Sequence, residues 1–340
     1  MSLATAIRDR DVAELPGKRD EDWRWTDLRG LIRVLPEPSQ VFAGEVGEGP
    51  FDALADERRV LVNGGETLID LPADGKATVA LRLVSRGDGS HHAGVTVTLG
   101  ANARLRLLES YESDGGSVSQ TSLTIILGQG AAVERIVLAK DHDDAVSVSQ
   151  AAVRLAPRAE YGQTVVASGA RRQRLETRVI HPGGHASLRL DGVYLLAGKR
   201  HSDQTTVVTH ESTDGATAQL TKGVVRDQAR GVFQGRIVVA EGADRTDARM
   251  GHHALILSDR AEVDAKPELE IYADDVACAH GNTVGALDED ALFYAQQRGM
   301  PADVATALLT EAFIGEVIDR IWFEEARDLV RAWAAERLGA

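Results

Sequence analysis

A strand-like run, a short break and an alanine recur along the middle of this 340-residue chain at nearly constant spacing. VTVTLGANA ends at Ala103, LTIILGQGAA at Ala132, AAVRLAPRA at Ala159, TRVIHPGGHA at Ala186, THESTDGA at Ala216 and IVVAEGA at Ala243, at intervals of 29, 27, 27, 30 and 27 residues. Units of one size that cannot bury an apolar face alone bury it by stacking, as in a solenoid. Runs such as VTVTL (95–99), LTIIL (123–127), IVVA (237–240) and ALIL (254–257) carry the period of strands, and they mark a β-region from about 58 to 273. Between Arg58 and Glu270 the only aromatic rings are Tyr111, Tyr161, Tyr194 and Phe233. Strands about 4.8 Å apart in stacked coils enclose a thin core that suits Val, Ile, Leu and Ala, whereas a sandwich of this size holds larger rings. The expected fold is mainly β, a right-handed parallel β-helix core flanked by N-terminal and C-terminal α-helical segments.

Three zones follow: an N-terminal helical segment and linker over 1–57, the β-helix core over 58–284 and a C-terminal helical domain over 285–340. Apolar residues at helical spacing around Trp23, Leu28, Leu31 and Ile32 predict helix over 1–35, which Pro36 and Pro38 end. Arg19, Glu21 and Arg24 are most simply a solvated face. Past 285, Asp288 caps a helix that stops at Gly299, and Pro301 opens the next. There Leu308, Leu309, Phe313, Val317, Ile318, Ile321 and Trp322 form an apolar stripe wider than one helix face needs.

Several function classes are excluded. A net charge of −14, with no basic cluster interleaved with aromatics, repels a phosphate backbone, so nucleic acid is not an expected partner. One cysteine rules out an internal disulfide framework and suits a reducing compartment. No secretory leader and no run of 18 apolar residues is seen, so a cytoplasmic protein without a membrane partner is expected. Gly192–Arg200 spaces its glycines one residue too far for a phosphate-binding loop and puts arginine where magnesium needs Ser or Thr, so no nucleotide is expected on this chain. Gly128-Gln-Gly130 lacks the helix and acidic residue of a dinucleotide site. No G-x-S-x-G elbow occurs. His181-Pro-Gly-Gly-His185 is a turn, and the doublets His91-His92 and His252-His253 send neighbouring rings to opposite strand faces.

What remains is the single cysteine, Cys278, two positions from His280. In a strand these point to one face about 6.6 Å apart. Two donors are too few for tetrahedral zinc or an iron–sulfur cluster, so a complete site borrows ligands, and another chain is a natural source. The plain alternative is a buried thiol beside a hydrogen-bonded imidazole. Asp274 and Asp275 lie nearby; adjacent acidic residues at a strand end are more often simply solvated.

The run KPELEIYADDV, C-A-H-G and TVG-x-L-D-E-x-x-LFY-x-x-x-RG, Lys266 to Gly299, resembles the C-terminal motif of the SufB/SufD family of iron–sulfur cluster assembly proteins. RDEDWRWTDL, Arg19 to Leu28, resembles the same family's N-terminal segment, and the single cysteine and modest length look more like its SufD branch. The resemblance implies a non-catalytic scaffold that pairs with a SufB-like β-helix subunit through the core end near Ala273–Gly281. It also implies a SufC-like ABC ATPase docked on the C-terminal helices, with Phe313 and Ile321 as candidate contacts. His280 and, more weakly, Cys278 would then serve as interfacial ligands to transient iron or an iron–sulfur cluster. The sequence leaves open a homodimer of the isolated chain. A β-helix carbohydrate-active enzyme is the alternative from another class, but it needs paired carboxylates in an aromatic or basic groove. A self-assembling structural solenoid is a third.

Overall fold

The computed structural model describes residues 2–339. Seventeen strands wind between Glu57 and Gly285 into about eight coils, each giving one strand to each of two parallel sheets. The nine-stranded sheet runs from Glu57–Val62 to Val276–Gly285, and the eight-stranded sheet from Gly65–Leu71 to Glu262–Ile271. Each strand pairs with those one coil away, so residues stack in columns. One inner column reads Leu107, Arg135, Gln163, Leu190, Gln219, Met250, His280. The fold is thus a parallel β-solenoid, and the antiparallel sandwich is excluded. Ile, Val, Leu and Ala from the inward rows of both sheets form one continuous core.

The alanine repeat has a geometric origin. Ala103, Ala131, Ala159, Ala186 and Ala243 each close a turn by donating N–H to the carbonyl three residues earlier, at 3.0–3.2 Å. The residue before each has positive φ, 58–60° at Asn102, Arg158 and His185, 68° at Gly130 and 77° at Gly242. A buried side chain at the turn's last position must be small, and alanine fits. Two positions of the repeat need correction. Ala132 and Ala216 begin strands with outward side chains, and the turn positions are Ala131 and Gly215. A Cβ on Gly215 would come within 2.5 Å of His210 Nδ1, which bars alanine there.

The C-terminal helices, Glu289–Gln297, Ala302–Ile318 and Glu324–Leu338, follow the β-core. Ile314, Val317, Ile318 and Ile321 pack on Ile136, Leu138, Val166, Val193 and Leu220, on the outer face of the nine-stranded sheet. Asp288 caps the first of these helices through Ala291 N–H, and Gly299 sits at φ 86° after it. Pro301 precedes the second helix by one residue and does not occupy its first position.

The N-terminal zone differs from the expected helix. α-Helix is confined to Leu3–Asp9 and Leu28–Leu31, with three-residue 3-10 turns at Val12–Glu14, Glu21–Trp23 and Asp52–Leu54. Pro16 and Gly17 break the pattern, and the Pro16 carbonyl accepts N–H groups from Leu28 and Arg29, folding the segment back on itself. Its apolar residues, Leu3, Ala6, Leu28 and Ile32, pack with Val118, Val146 and Val148 on the eight-stranded sheet. Helical spacing here reflects several short pieces on one apolar surface.

Candidate functional site at the open end of the solenoid

Val276–Gly285 is the last strand of its sheet, paired only with Thr246–Ile256. Its partner in register sets its faces. Cys278 lies opposite Ala248 and His280 opposite Met250, and both partners are buried in the inner row. Cys278 and His280 therefore occupy the same inner row, one coil further, where no later coil covers them. Cys278 is half-buried against the core and His280 is exposed. Burial raises the Cys278 thiol above its ordinary value; a hydrogen bond from the Ala248 backbone opposes this, and the Asp247 carboxylate adds to it. At neutral pH the sulfur is held as thiol, a poor free nucleophile. A bound metal would displace the proton.

Asp274 and Asp275 are exposed on the turn before this strand. The Asp275 carbonyl accepts the Arg245 N–H at 2.5 Å. Among the described residues no group of three His, Cys, Asp or Glu side chains is placed to hold a metal ion.

Both sheets end together. Glu262–Ile271 and Val276–Gly285 each leave an edge of unpaired backbone groups, beside exposed Ile271, Tyr272 and Val284. Such an edge is a template for another chain.

The sequence pattern did not show how the N-terminal motif is used. Asp22 pairs with Arg178 at 3.1 Å and Arg236 at 3.2 Å, and its carbonyl accepts from Arg174 at 2.7 Å. The Trp23 ring lies 4.4 Å from the Arg174 guanidinium, which is fully buried between Glu176 and Asp203. Glu21 is exposed, as expected, and accepts a bond from the Lys266 ammonium at 2.7 Å. The Glu-Asp-Trp core of this motif is a clasp across four coils of the eight-stranded sheet. Only the density of charge beside tryptophan hinted at it.

The helical candidates separate. Phe313 is half-buried under the Lys222 ammonium, 4.3 Å away. Ile321 is 1% exposed and packs within its own chain, so it is a core residue with no surface to offer a partner. Stripe position i and its neighbours look alike in sequence, and only the contact with the sheet tells them apart. Exposed apolar side chains lie instead at Phe293, Tyr294, Val304, Leu308 and Trp322. Gly192–Leu196 belongs to a strand followed by another strand, so nothing there resembles a phosphate loop.

Residues 67–313, from the second strand into the helix Ala302–Ile318, match the family model described as "SUF system FeS cluster assembly, SufBD core domain". The chain belongs to the SufBD family. The SufBD match spans nearly the whole solenoid, including the terminal strand with Cys278 and His280. Among relatives, the iron–sulfur cluster assembly protein SufD of Escherichia coli is 31% identical over 79% of this chain and 58% of its own length. A SufBD family protein of Synechocystis is 33% identical over 58% of this chain and 44% of its own length. A SufBD family protein of Mycobacterium bovis is 26% identical over 95% of this chain and 89% of its own. The alignments thus span about half the length of the first two relatives. No helix among the described residues is long and apolar enough to cross a membrane.

Proposed function

We propose that this chain is a non-catalytic scaffold subunit for iron–sulfur cluster assembly, acting in the cytoplasm within a SufBCD-type complex. The observation that supports it best is the terminal strand: Cys278 and His280 share the uncovered inner row at the end where both sheets present free edges. A SufB-like subunit that continues the solenoid or abuts its end would cover those edges and supply the missing ligands. The transient iron or iron–sulfur cluster is cargo there, held by neutral His280 through a ring nitrogen and, secondarily, by Cys278 as thiolate. Incomplete ligation by each chain makes the cargo transferable, because separating the subunits removes ligands.

The helices after Gly285 would receive a SufC-like ABC ATPase, whose movement could separate the subunits. The exposed aromatics Phe293 and Tyr294 suit that contact, with Phe313 nearer the core. The chain itself binds no nucleotide in this account. In isolation the same free edges make a homodimer the alternative assembly. Purification from its own host tests the reading: co-elution with an ABC ATPase and a second β-solenoid protein supports it. Isolation as a lone monomer that cleaves polysaccharide would establish the carbohydrate-active alternative.

A further inference from the structure

A cavity of about 240 Å³ lies between the last two helices and the outer face of the nine-stranded sheet. Lys140, Arg200, Arg226 and Arg337 line it, with Leu195 and Leu338 among its apolar walls. Four cationic residues thus line it in a chain of net charge −14, although the Arg200 guanidinium already donates to the carbonyls of Asp141, Ser168 and Gly169. No carboxylate lines the cavity. Asp143 pairs with Arg200 and Glu336 lies 3.4 Å from Arg337, but both acids are exposed outside it. Among the described residues Lys140 and Arg226 have no ion pair, and the Arg226 guanidinium donates one long bond, 3.5 Å, to the Arg337 carbonyl. Arg337 lies against the Trp333 ring at 3.6 Å and is held below its ordinary value by burial, opposed by Glu336, with the charge of Arg200 adding to the lowering.

Arg200 and Arg337 already have Asp143 and Glu336 beside them, so the uncompensated charges are those of Lys140 and Arg226, whose mutual repulsion an anion between them would relieve. Guanidinium forks and an ammonium suit a tetrahedral dianion, which accepts several charge-assisted hydrogen bonds at once. At about 30 Å³ per water-sized group the cavity holds roughly eight such groups, enough for a phosphate and a short apolar body against Leu195 and Leu338. We propose that this cavity, seated where the helical segment meets the solenoid, is a binding site for a phosphate dianion, free or esterified to a small apolar group. The site is independent of the iron–sulfur reading. It gives the chain a small-molecule ligand that braces the helices against the β-core.

Isothermal titration calorimetry on the full chain at fixed ionic strength, with inorganic phosphate and with n-butyl phosphate, tests this. Saturable one-site binding is expected, weakened about tenfold in Arg226→Gln and in Lys140→Gln, each of which loses a charge-assisted bond. Tighter binding of butyl phosphate would assign the site to an ester, and equal binding to free phosphate. Circular dichroism and the thermal midpoint of each variant establish that it is folded. The proposal is overturned by the absence of saturable heat up to millimolar ligand, or by unchanged affinity in the folded double variant.

Discussion

His252 Nδ1 lies 2.7 Å from Asn282 Oδ1, so a fully buried imidazole reaches across one coil to hold the terminal strand. The other ring nitrogen, Nε2, is 2.8 Å from the Tyr194 hydroxyl, and Phe233 stacks on the ring at 4.6 Å. With Nδ1–H donating to Asn282, Nε2 accepts from Tyr194, and one tautomer satisfies the chain of bonds. Asn282 is two residues beyond His280 on the same face, so this link fixes the strand that bears the proposed ligands.

Replacing Asn282 by Ala therefore frees the edge without opening the core. Amide hydrogen exchange across Val276–Gly285 should accelerate at least severalfold, while global stability falls by only about 1 kcal/mol. Unchanged exchange in that strand would show that backbone pairing alone fixes it.

The N-terminal clasp makes a larger prediction. Arg174→Ala leaves Glu176 and Asp203 without their buried partner, and denaturant unfolding should show a loss of about 3–5 kcal/mol. Limited proteolysis should then cut within residues 10–30 first, since Asp22 and Trp23 both rest on that guanidinium. Equal protease resistance in the variant would show that the segment is held by Leu3, Leu28 and Ile32 alone.

Stability should also depend on pH through buried histidines. Burial pushes His252 down to about 4, and burial reinforced by His181 pushes His210 down to about 3. Both folded values lie below the unfolded value near ~6.5, so the unfolded chain takes up protons first as pH falls. Stability is full above about 6.5 and is lost as pH drops towards the folded values. Between about pH 6 and 4, His210→Gln should lower the slope of unfolding free energy against pH by roughly 1.4 kcal/mol per unit. An unchanged slope would mean that His210 is protonated in the folded chain.

Ile321 and the exposed aromatics separate packing from docking. Ile321→Asp buries an unpaired carboxylate against Ile136 and Val193 and should cost several kcal/mol, about 3 or more, detectable by thermal melting. Phe293→Asp, on an exposed helix face, should leave the melt within about 0.5 kcal/mol and weaken ATPase co-purification. Retention of the ATPase by a folded Phe293→Asp variant would move the docking face elsewhere.

Much of the fold was legible because a coil with one strand per sheet consumes about as many residues each time, and the repeat from Ala103 to Ala243 records that length. Its phase was less legible: Ala131 and Ala132 are both alanine, and only the turn hydrogen bond shows which one faces inward. The polar interior was not legible at all. Glu109 and Arg135 sit in the inner row as a two-pronged ion pair at 2.6 and 2.8 Å, beside Gln163 and Tyr111, where strand periodicity asks for aliphatic residues. At the candidate site, the shared face of Cys278 and His280 followed from strand geometry. That this strand is the last, and so uncovered, required the whole count of coils.

The central claim is that this chain supplies an incomplete ligand set at a junction with a partner. The most direct measurement is anaerobic reconstitution of the co-expressed complex, with iron followed by Mössbauer spectroscopy, for wild type, His280→Ala and Cys278→Ala. The account predicts that His280→Ala co-purifies with its partners yet assembles markedly less cluster, with a smaller loss for Cys278→Ala. Wild-type cluster content in an intact His280→Ala complex would contradict it.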